Sequence, residues 1–265
     1  IDPEKIHLVG NVMIDTLLKN RDKAEASGIL DQLEVRSGEY AVLTLHRPSN
    51  VDNAETLGGL LDVIDVVQRR LPVVFPMHPR TRNNLPRLGL ADRVTAMSNL
   101  RIIDPIGYLD FLKLTASARI VLTDSGGIQE ETTILKVPCL TLRESTERPI
   151  TAEIGSNRIV GTKPADIIAA FEEAMSGRGR QGGIPPMWDG QAARETVLPY
   201  ARSGRIRYLV VESGAAGLGQ WHAYRRNVAA DYQRVYGEPP GRLIGVGVLT
   251  DSDDLKGSAE AWYGD

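Results

Sequence analysis

Short apolar runs alternating with helical periodicity constrain this chain more than any other feature of its sequence. Runs of β-branched and aliphatic residues occur at Ile6–Val9, Tyr40–Leu45, Val73–Phe75, Leu100–Ile103, Ile120–Thr123 and Cys139–Leu142. They are too apolar on both faces for a sheet with one side in water, and they predict parallel strands covered on both sides. Between them, Leu57, Leu60, Leu61, Ile64 and Val67 repeat at helical spacing. Further helices are predicted over Tyr108–Ala116, Gly127–Leu135 and Pro164–Met175, the last opened by Thr162-Lys163-Pro164, a cap followed by proline in the first turn. This alternation predicts an α/β fold, a doubly wound parallel sheet with right-handed crossovers. Ligands of such sheets collect at the carboxyl ends of the strands, so the residues just after each strand are the candidates for chemistry.

The pattern changes near Ser176, where Ser176 to Pro186 is rich in glycine and proline and reads as a loop or linker. Beyond it the sequence predicts a short helix near Gln191–Val197, a strand Ile206–Val211, a helix from about Asn227 to Tyr236 and a strand Leu243–Thr250. Three parts are expected: an α/β domain over residues 1–176, a linker with a helix over 177–200, and a small α+β module over 201–265.

Composition narrows the function classes. A net charge of -3 argues against a nucleic-acid partner, and an aromatic content of 5% disfavours a base-stacking surface. No apolar run is long enough to cross a bilayer, and Ile1-Asp2-Pro3-Glu4-Lys5 lacks the pattern of a signal peptide. Cys139 is the single cysteine, which fits a reducing cytoplasm, and its place in an apolar run predicts a core role. His7, His46, His78 and His222 are scattered without metal-ligand spacing, so no metal is expected.

The most informative segment is Thr123-Asp124-Ser125-Gly126-Gly127-Ile128-Gln129-Glu130-Glu131. A strand ends, two glycines let the backbone approach a ligand, and a helix begins with unpaired N–H groups and the positive end of its dipole. Together these suit a phosphate, with the Ser125 hydroxyl as a further donor. Glu131 lies about one turn on, beyond the phosphate, where a carboxylate can accept from both hydroxyls of a ribose. The same residues also fit a helix cap at Ser125 and first-turn acids at Glu130 and Glu131.

Other strand ends add candidates. Thr44-Leu45-His46-Arg47-Pro48 puts His46 in place as a donor or general acid and Arg47 as a fork for phosphate. Phe75 to Arg82 carries His78, which suits a ligand-facing or a packed position equally, while Arg80 and Arg82 read as solvated helix residues. The charged loop Leu142-Arg143-Glu144-Ser145-Thr146-Glu147-Arg148-Pro149 offers Arg143 to balance phosphate charge, and Glu147 with Arg148 to orient a sugar hydroxyl or lock the loop. Asp251, Asp253 and Asp254 read as an acidic turn rather than a cation site, and Trp221 and Trp262 as core.

Taken in order, His7–Asp15, Leu43–Arg47, Pro76–Pro79, Leu122–Glu131 and Leu142–Pro149 resemble the C-terminal domain of the non-hydrolysing UDP-N-acetylglucosamine 2-epimerases over roughly residues 1–198. The resemblance implies a Rossmann-like domain, one half of a glycosyltransferase-B arrangement. It implies inversion of C2 by elimination and re-addition of UDP without a metal or redox cofactor. It carries over Ser125, Gly126 and Gly127 for the diphosphate, Glu131 for the ribose and His46 for the phosphate side of the elimination. His78 and the Arg143 to Arg148 loop, with Glu147, would line the same cleft. The family's N-terminal domain, expected to carry the carboxylates that move the C2 proton, has no counterpart in this sequence. Partners are therefore expected to be UDP-N-acetylglucosamine or UDP, with a second copy or a separate N-terminal domain. The tail resembles the end of a bacterial domain family of unknown function. Two alternatives share the phosphate turn: a non-catalytic nucleotide-sugar sensor, and the donor half of a glycosyltransferase.

Overall fold

The computed structural model describes residues 10–179 and 182–192, with the short segments 197–199, 207–209 and 228–237 and residue 239. In chain order the elements are α1 (Val12–Glu25), α2 (Ile29–Gln32), β1 (Ala41–Thr44), α3 (Pro48–Val51), α4 (Ala54–Arg70), β2 (Val73–Pro76), α5 (Pro79–Arg87), α6 (Ala91–Thr95) and β3 (Leu100–Ile103). They continue with α7 (Tyr108–Ala116), β4 (Ile120–Thr123), α8 (Gly126–Leu135), β5 (Cys139–Thr141), α9 (Pro149–Glu153), β6 (Asn157–Ile159) and α10 (Pro164–Glu173). A second unit contains β7 (Val197–Pro199), paired antiparallel with β8 (Arg207–Leu209), and α11 (Val228–Tyr236).

The first unit is built on a six-stranded parallel sheet in the order β3-β2-β1-β4-β5-β6. The apolar runs are two-faced because each strand feeds both sides of the sheet. Ala41, Leu43, Val73, Phe75, Ile120 and Leu122 join the core under α4 and α10. Their alternates Val42, Val74 and Val121 join the opposite core with Leu114 of α7. The stripe Leu57, Leu60, Leu61, Ile64 and Val67 is buried on α4, as its spacing predicts. Asn53 caps that helix by accepting from the N–H groups of Glu55 and Thr56 at 2.8 and 3.0 Å, and Arg69 and Arg70 complement the dipole at its far end.

Strand order runs outward from β1 to β3, then returns to the other side of β1 for β4. This reversal opens a crevice between β1 and β4, the usual ligand position in such sheets. The two strands pair in register from Ala41 opposite Ile120 to Thr44 opposite Thr123. The Thr44 and Thr123 hydroxyls are bonded at 2.6 Å, so both strands end at one level and their loops leave from one place.

Several elements differ from the sequence reading. α1 and β6 have no counterpart in it: α1 buries little beyond Ile14, Leu17 and Ala24, and β6 is an edge strand with Arg158 in water, so neither carries a strong apolar signature. α8 starts one residue early, at Gly126, and α10 gives way after Glu173 to a π-helical turn, Ala174–Arg178, with Gly177 at φ 77°. The helix expected near Gln191–Val197 is corrected at its described ends, since Gln191 and Ala192 are irregular and Val197 opens β7; residues 193–196 lie outside the described residues. The strands expected at Ile6–Val9 and Leu243–Thr250, with Trp221, Trp262 and the Asp251 to Asp254 turn, also lie outside them.

The glycine- and proline-rich stretch runs back over the first unit. Gly183 N–H donates to Ile154 O at 2.7 Å, Trp188 packs on the cluster of Ile14, Leu17 and Leu112, and Ala192 N–H reaches Asp15 Oδ1 at 3.2 Å. Gly155, just before β6, allows a close approach to α8 and α9. A Cβ at that position would lie 2.4 Å from Thr133 Oγ1 and 2.5 Å from Thr151 O, both in buried residues. Gly155→Ala is expected to destabilise the domain by about 1–3 kcal/mol, the usual cost of overpacking, as read by a lower denaturant midpoint with an unchanged slope.

Candidate functional site

The crevice is organised by one buried carboxylate. Asp124 follows β4 and is fully buried. It accepts from His46 N–H at 3.0 Å, Arg47 N–H at 2.9 Å and Asn50 Nδ2 at 3.3 Å, and its Oδ1 lies 2.8 Å from His46 Nδ1. A carboxylate removed from water is tolerated only with such a set of donors. Asn50 also donates to Leu142 O at 2.9 Å, so the loops after β1, β4 and β5 are tied together through two side chains.

Above this knot stands the start of α8. Ser125 occupies the cap position with extended backbone (φ -91°, ψ 130°), but its hydroxyl makes no capping bond. The cap reading of Ser125 is thus right about position and leaves the hydroxyl for another acceptor. The first N–H groups of the helix have no intrahelical acceptor and carry the positive end of the dipole. Gly126 is buried, and a Cβ there would sit 3.0 Å from Glu147 Oε1, whereas Gly127 has open space around it. Glu147 bridges two cations, meeting Arg47 Nη2 at 2.7 Å and Arg143 Nη1 at 2.6 Å. Its own backbone N–H, then Arg143 and Arg47, hold its carboxyl down at about 2, against the opposing effect of burial. Two arginines and a helix N-terminus therefore surround one carboxylate.

Further along α8, Glu130 and Glu131 are both buried and differ in partners. Glu130 receives Arg148 Nε at 2.9 Å and Asn11 Nδ2 at 2.9 Å. Burial raises its carboxyl, opposed by Arg148 and Asn11. Glu131 has no hydrogen-bond or ion-pair partner among the described residues. Burial first, and Glu130 second, raise it to about 7. Tyr108, at the start of α7, is close enough to feel this charge: burial, then Glu131, push its phenol to about 12.

The structure brings His46, Arg47, Ser125, Gly126, Gly127, Arg143 and Glu147 to one end of the sheet. His78 joins them, its ring 5.7 Å from that of His46. It caps α5, its Nδ1 accepting from Arg80 N–H at 3.1 Å. Arg80 and Arg82 are paired with Asp52 and Asp104 on the surface, as helix residues. Arg148 is committed to Glu130. Cys139 is buried in β5, and burial pushes its thiol to about 12, which fits the core role read from the sequence.

Sequence reasoning gave no role to Asp124, although it sits inside the most informative motif. The signal was present, because an aspartate that ends a four-residue buried strand must find donors. It also missed Gln129, fully buried, whose Oε1 accepts from Thr146 Oγ1 at 2.6 Å and Asn157 Nδ2 at 3.2 Å and so fastens the charged loop to α8. Among the described residues no group of three His, Cys, Asp or Glu side chains is placed to hold a metal, and no helix is long and apolar enough to cross a membrane.

Sheet order, crevice and glycine-opened helix together define a Rossmann-like α/β domain. A family model described as UDP-N-acetylglucosamine 2-epimerase matches residues 1–198, and the chain belongs to that family. A second model, for a family of proteins of unknown function, matches residues 179–265. The UDP-N-acetylglucosamine 2-epimerase of Methanocaldococcus jannaschii is 42% identical over 179 residues, covering 65% of this chain and 48% of its own length. The UDP-2,3-diacetamido-2,3-dideoxy-D-glucuronate 2-epimerase of Pseudomonas aeruginosa is 37% identical over 173 residues, 64% of this chain and 46% of its own. A crystal structure of the M. jannaschii UDP-GlcNAc 2-epimerase in complex with UDP-GlcNAc and UDP superposes with a TM-score of 0.66 at 39% identity, over 72% of this chain and 53% of that one. This chain thus spans about half the length of the curated relatives it matches.

Proposed function

We propose that the β1–β4 crevice binds UDP-N-acetylglucosamine and serves its epimerisation at C2. In this reading residues 1–176 form the nucleotide-sugar domain, one half of a glycosyltransferase-B arrangement, with 177–200 as a connection and 201–265 as a separate module. The observation that carries it is the α8 start, where the helix opens on Gly126 and Gly127 and the Ser125 hydroxyl makes no capping bond, one turn before the buried carboxylate of Glu131, which has no partner among the described residues. That spacing suits a diphosphate on the helix N-terminus with ribose hydroxyls on Glu131. Arg47 and Arg143 lie beside the same anion position, and His46 faces its phosphate side.

In the reaction, elimination breaks the C2–H bond and the C1–O bond, and UDP leaves with the C1–O electron pair. UDP then re-adds at C1 as a proton returns to the opposite face of C2. This domain stabilises the leaving diphosphate by fixed donors. Of its crevice acids, Glu130 pairs with Arg148, Glu147 pairs with Arg47 and Arg143, and Glu131 is assigned to the ribose, so the C2 proton is assigned to groups outside residues 10–192. Those groups come from a second copy of the chain or from another domain.

Proton NMR of UDP-N-acetylglucosamine with the protein in D2O tests this. Deuterium appearing at C2 with new anomeric signals supports the full reading. Broadened nucleotide signals without exchange support binding alone, as in a nucleotide-sugar sensor. Unchanged signals with UDP and with UDP-N-acetylglucosamine reject the site.

A further inference from the structure

The two crevice histidines use their Nδ1 atoms in opposite senses. His78 Nδ1 accepts from Arg80 N–H at 3.1 Å, so that nitrogen holds a lone pair. His46 Nδ1 lies 2.8 Å from Asp124 Oδ1. A carboxylate offers only lone pairs, so this nitrogen carries the proton. Asp124 itself cannot turn. It is fully buried, and its oxygens are held by two backbone N–H groups and by Asn50. The same carboxylate therefore fixes the backbone of the loop and the ring that leaves it. With Nδ1 occupied, Nε2 has no partner among the described residues, and the His46 side chain is 36% exposed.

The geometry points to Asp124 as a positioning residue that locks His46 in the Nδ1–H tautomer and presents Nε2 to the diphosphate. This rests on the proposed reading of the crevice as a diphosphate site. In this tautomer Nε2 is the ring atom that gains a proton and offers it to a phosphate oxygen, while the buried carboxylate balances the charge on the far edge of the ring. His78, with its proton on Nε2 when neutral, is a fixed donor beside it rather than a second shuttle. The pair thus divides two tasks between two tautomers.

Asp124→Asn separates this role from a merely structural one. Two backbone N–H groups and Asn50 require an acceptor at the Oδ2 position, so the new amide oxygen takes that place. The NH2 then faces His46 Nδ1, which must accept, and the proton moves to Nε2. Two-bond 15N–1H correlation spectra of the histidine rings, recorded at about pH 9, above the usual histidine range, report which nitrogen is protonated. Nδ1 of His46 is expected to carry a proton in the native protein and to lose it in the variant. UDP affinity should fall about fivefold, because Nε2–H still donates to the phosphate but the carboxylate that favours the charged ring is gone. A bare Nδ1 in the native protein, or a retained Nδ1–H in the folded variant, overturns the assignment. The native spectrum decides by itself if the variant does not fold. Because the spectra need no nucleotide, failure of UDP to bind would reject the proposed function and leave the tautomer result standing.

Discussion

Gly126→Val is expected to reduce UDP affinity by roughly 100-fold or more, about the loss of two charge-assisted hydrogen bonds, while the protein remains folded. A Cβ at this position already comes within 3.0 Å of Glu147 Oε1 and 3.3 Å of its Cδ. Glu147 is a flexible, half-exposed side chain, so it can move aside, and the helical backbone at Gly126 imposes no strain on valine. Moving it breaks the pairs with Arg47 and Arg143, and the valine methyl groups stand over the N–H groups that a diphosphate would use. Gly127→Ala is the control, because a Cβ there meets nothing within 4 Å, so any loss of affinity reports the ligand contact alone. Titration calorimetry with UDP, with a thermal melt of each variant, reads the effect. A Gly126→Val protein that binds UDP as tightly as the native one would place the phosphate site elsewhere.

The second large effect concerns Glu131 and pH. Its carboxyl is raised from 4.5 to about 7, chiefly by burial and then by Glu130, so the native state holds a proton that the unfolded chain has released between those values. Stability is therefore fully present below the unfolded value and is lost as pH rises through about 7. At about pH 8, Glu131→Gln should be more stable than the native protein by up to about 3 kcal/mol, and near pH 4 the two should melt alike. Nucleotide binding has the opposite sign. Ribose hydroxyls donate to the ionised carboxylate, so the UDP affinity of the native protein should climb as pH rises through about 7. In Glu131→Gln that climb should vanish along with most of the ribose contact. If affinity in the native protein is flat over this range, Glu131 does not meet the ribose.

Much of this architecture is written locally. The strands Leu100–Ile103 and Ile120–Thr123 and the helix Tyr108–Ala116 appear with the bounds their patterns predict. Burial on both faces leaves a continuous apolar run, and a helix that covers a sheet leaves a stripe. The glycine pair after β4 and the acids behind it were legible as a helix start, since a strand that ends in two glycines before a polar helix turn is a local pattern. β6 escaped because an edge strand with one face in water needs no apolar run, and α1 because it buries few of its residues.

The sequence by itself determined the fold class, the glycine-opened helix start after β4 and the core placement of Cys139, all of which depend on neighbours within a few residues. Only the tertiary structure decided what those residues do to one another. Asp124 meets His46 across 78 positions of chain, and Glu147 meets Arg47 across 100. Arg148, read as orienting a sugar hydroxyl or locking the loop, pairs with Glu130. Two adjacent glutamates become chemically different because one is paired and the other is buried alone. Charge, burial and hydrogen bonding act through space, and strand order rather than chain order sets those distances.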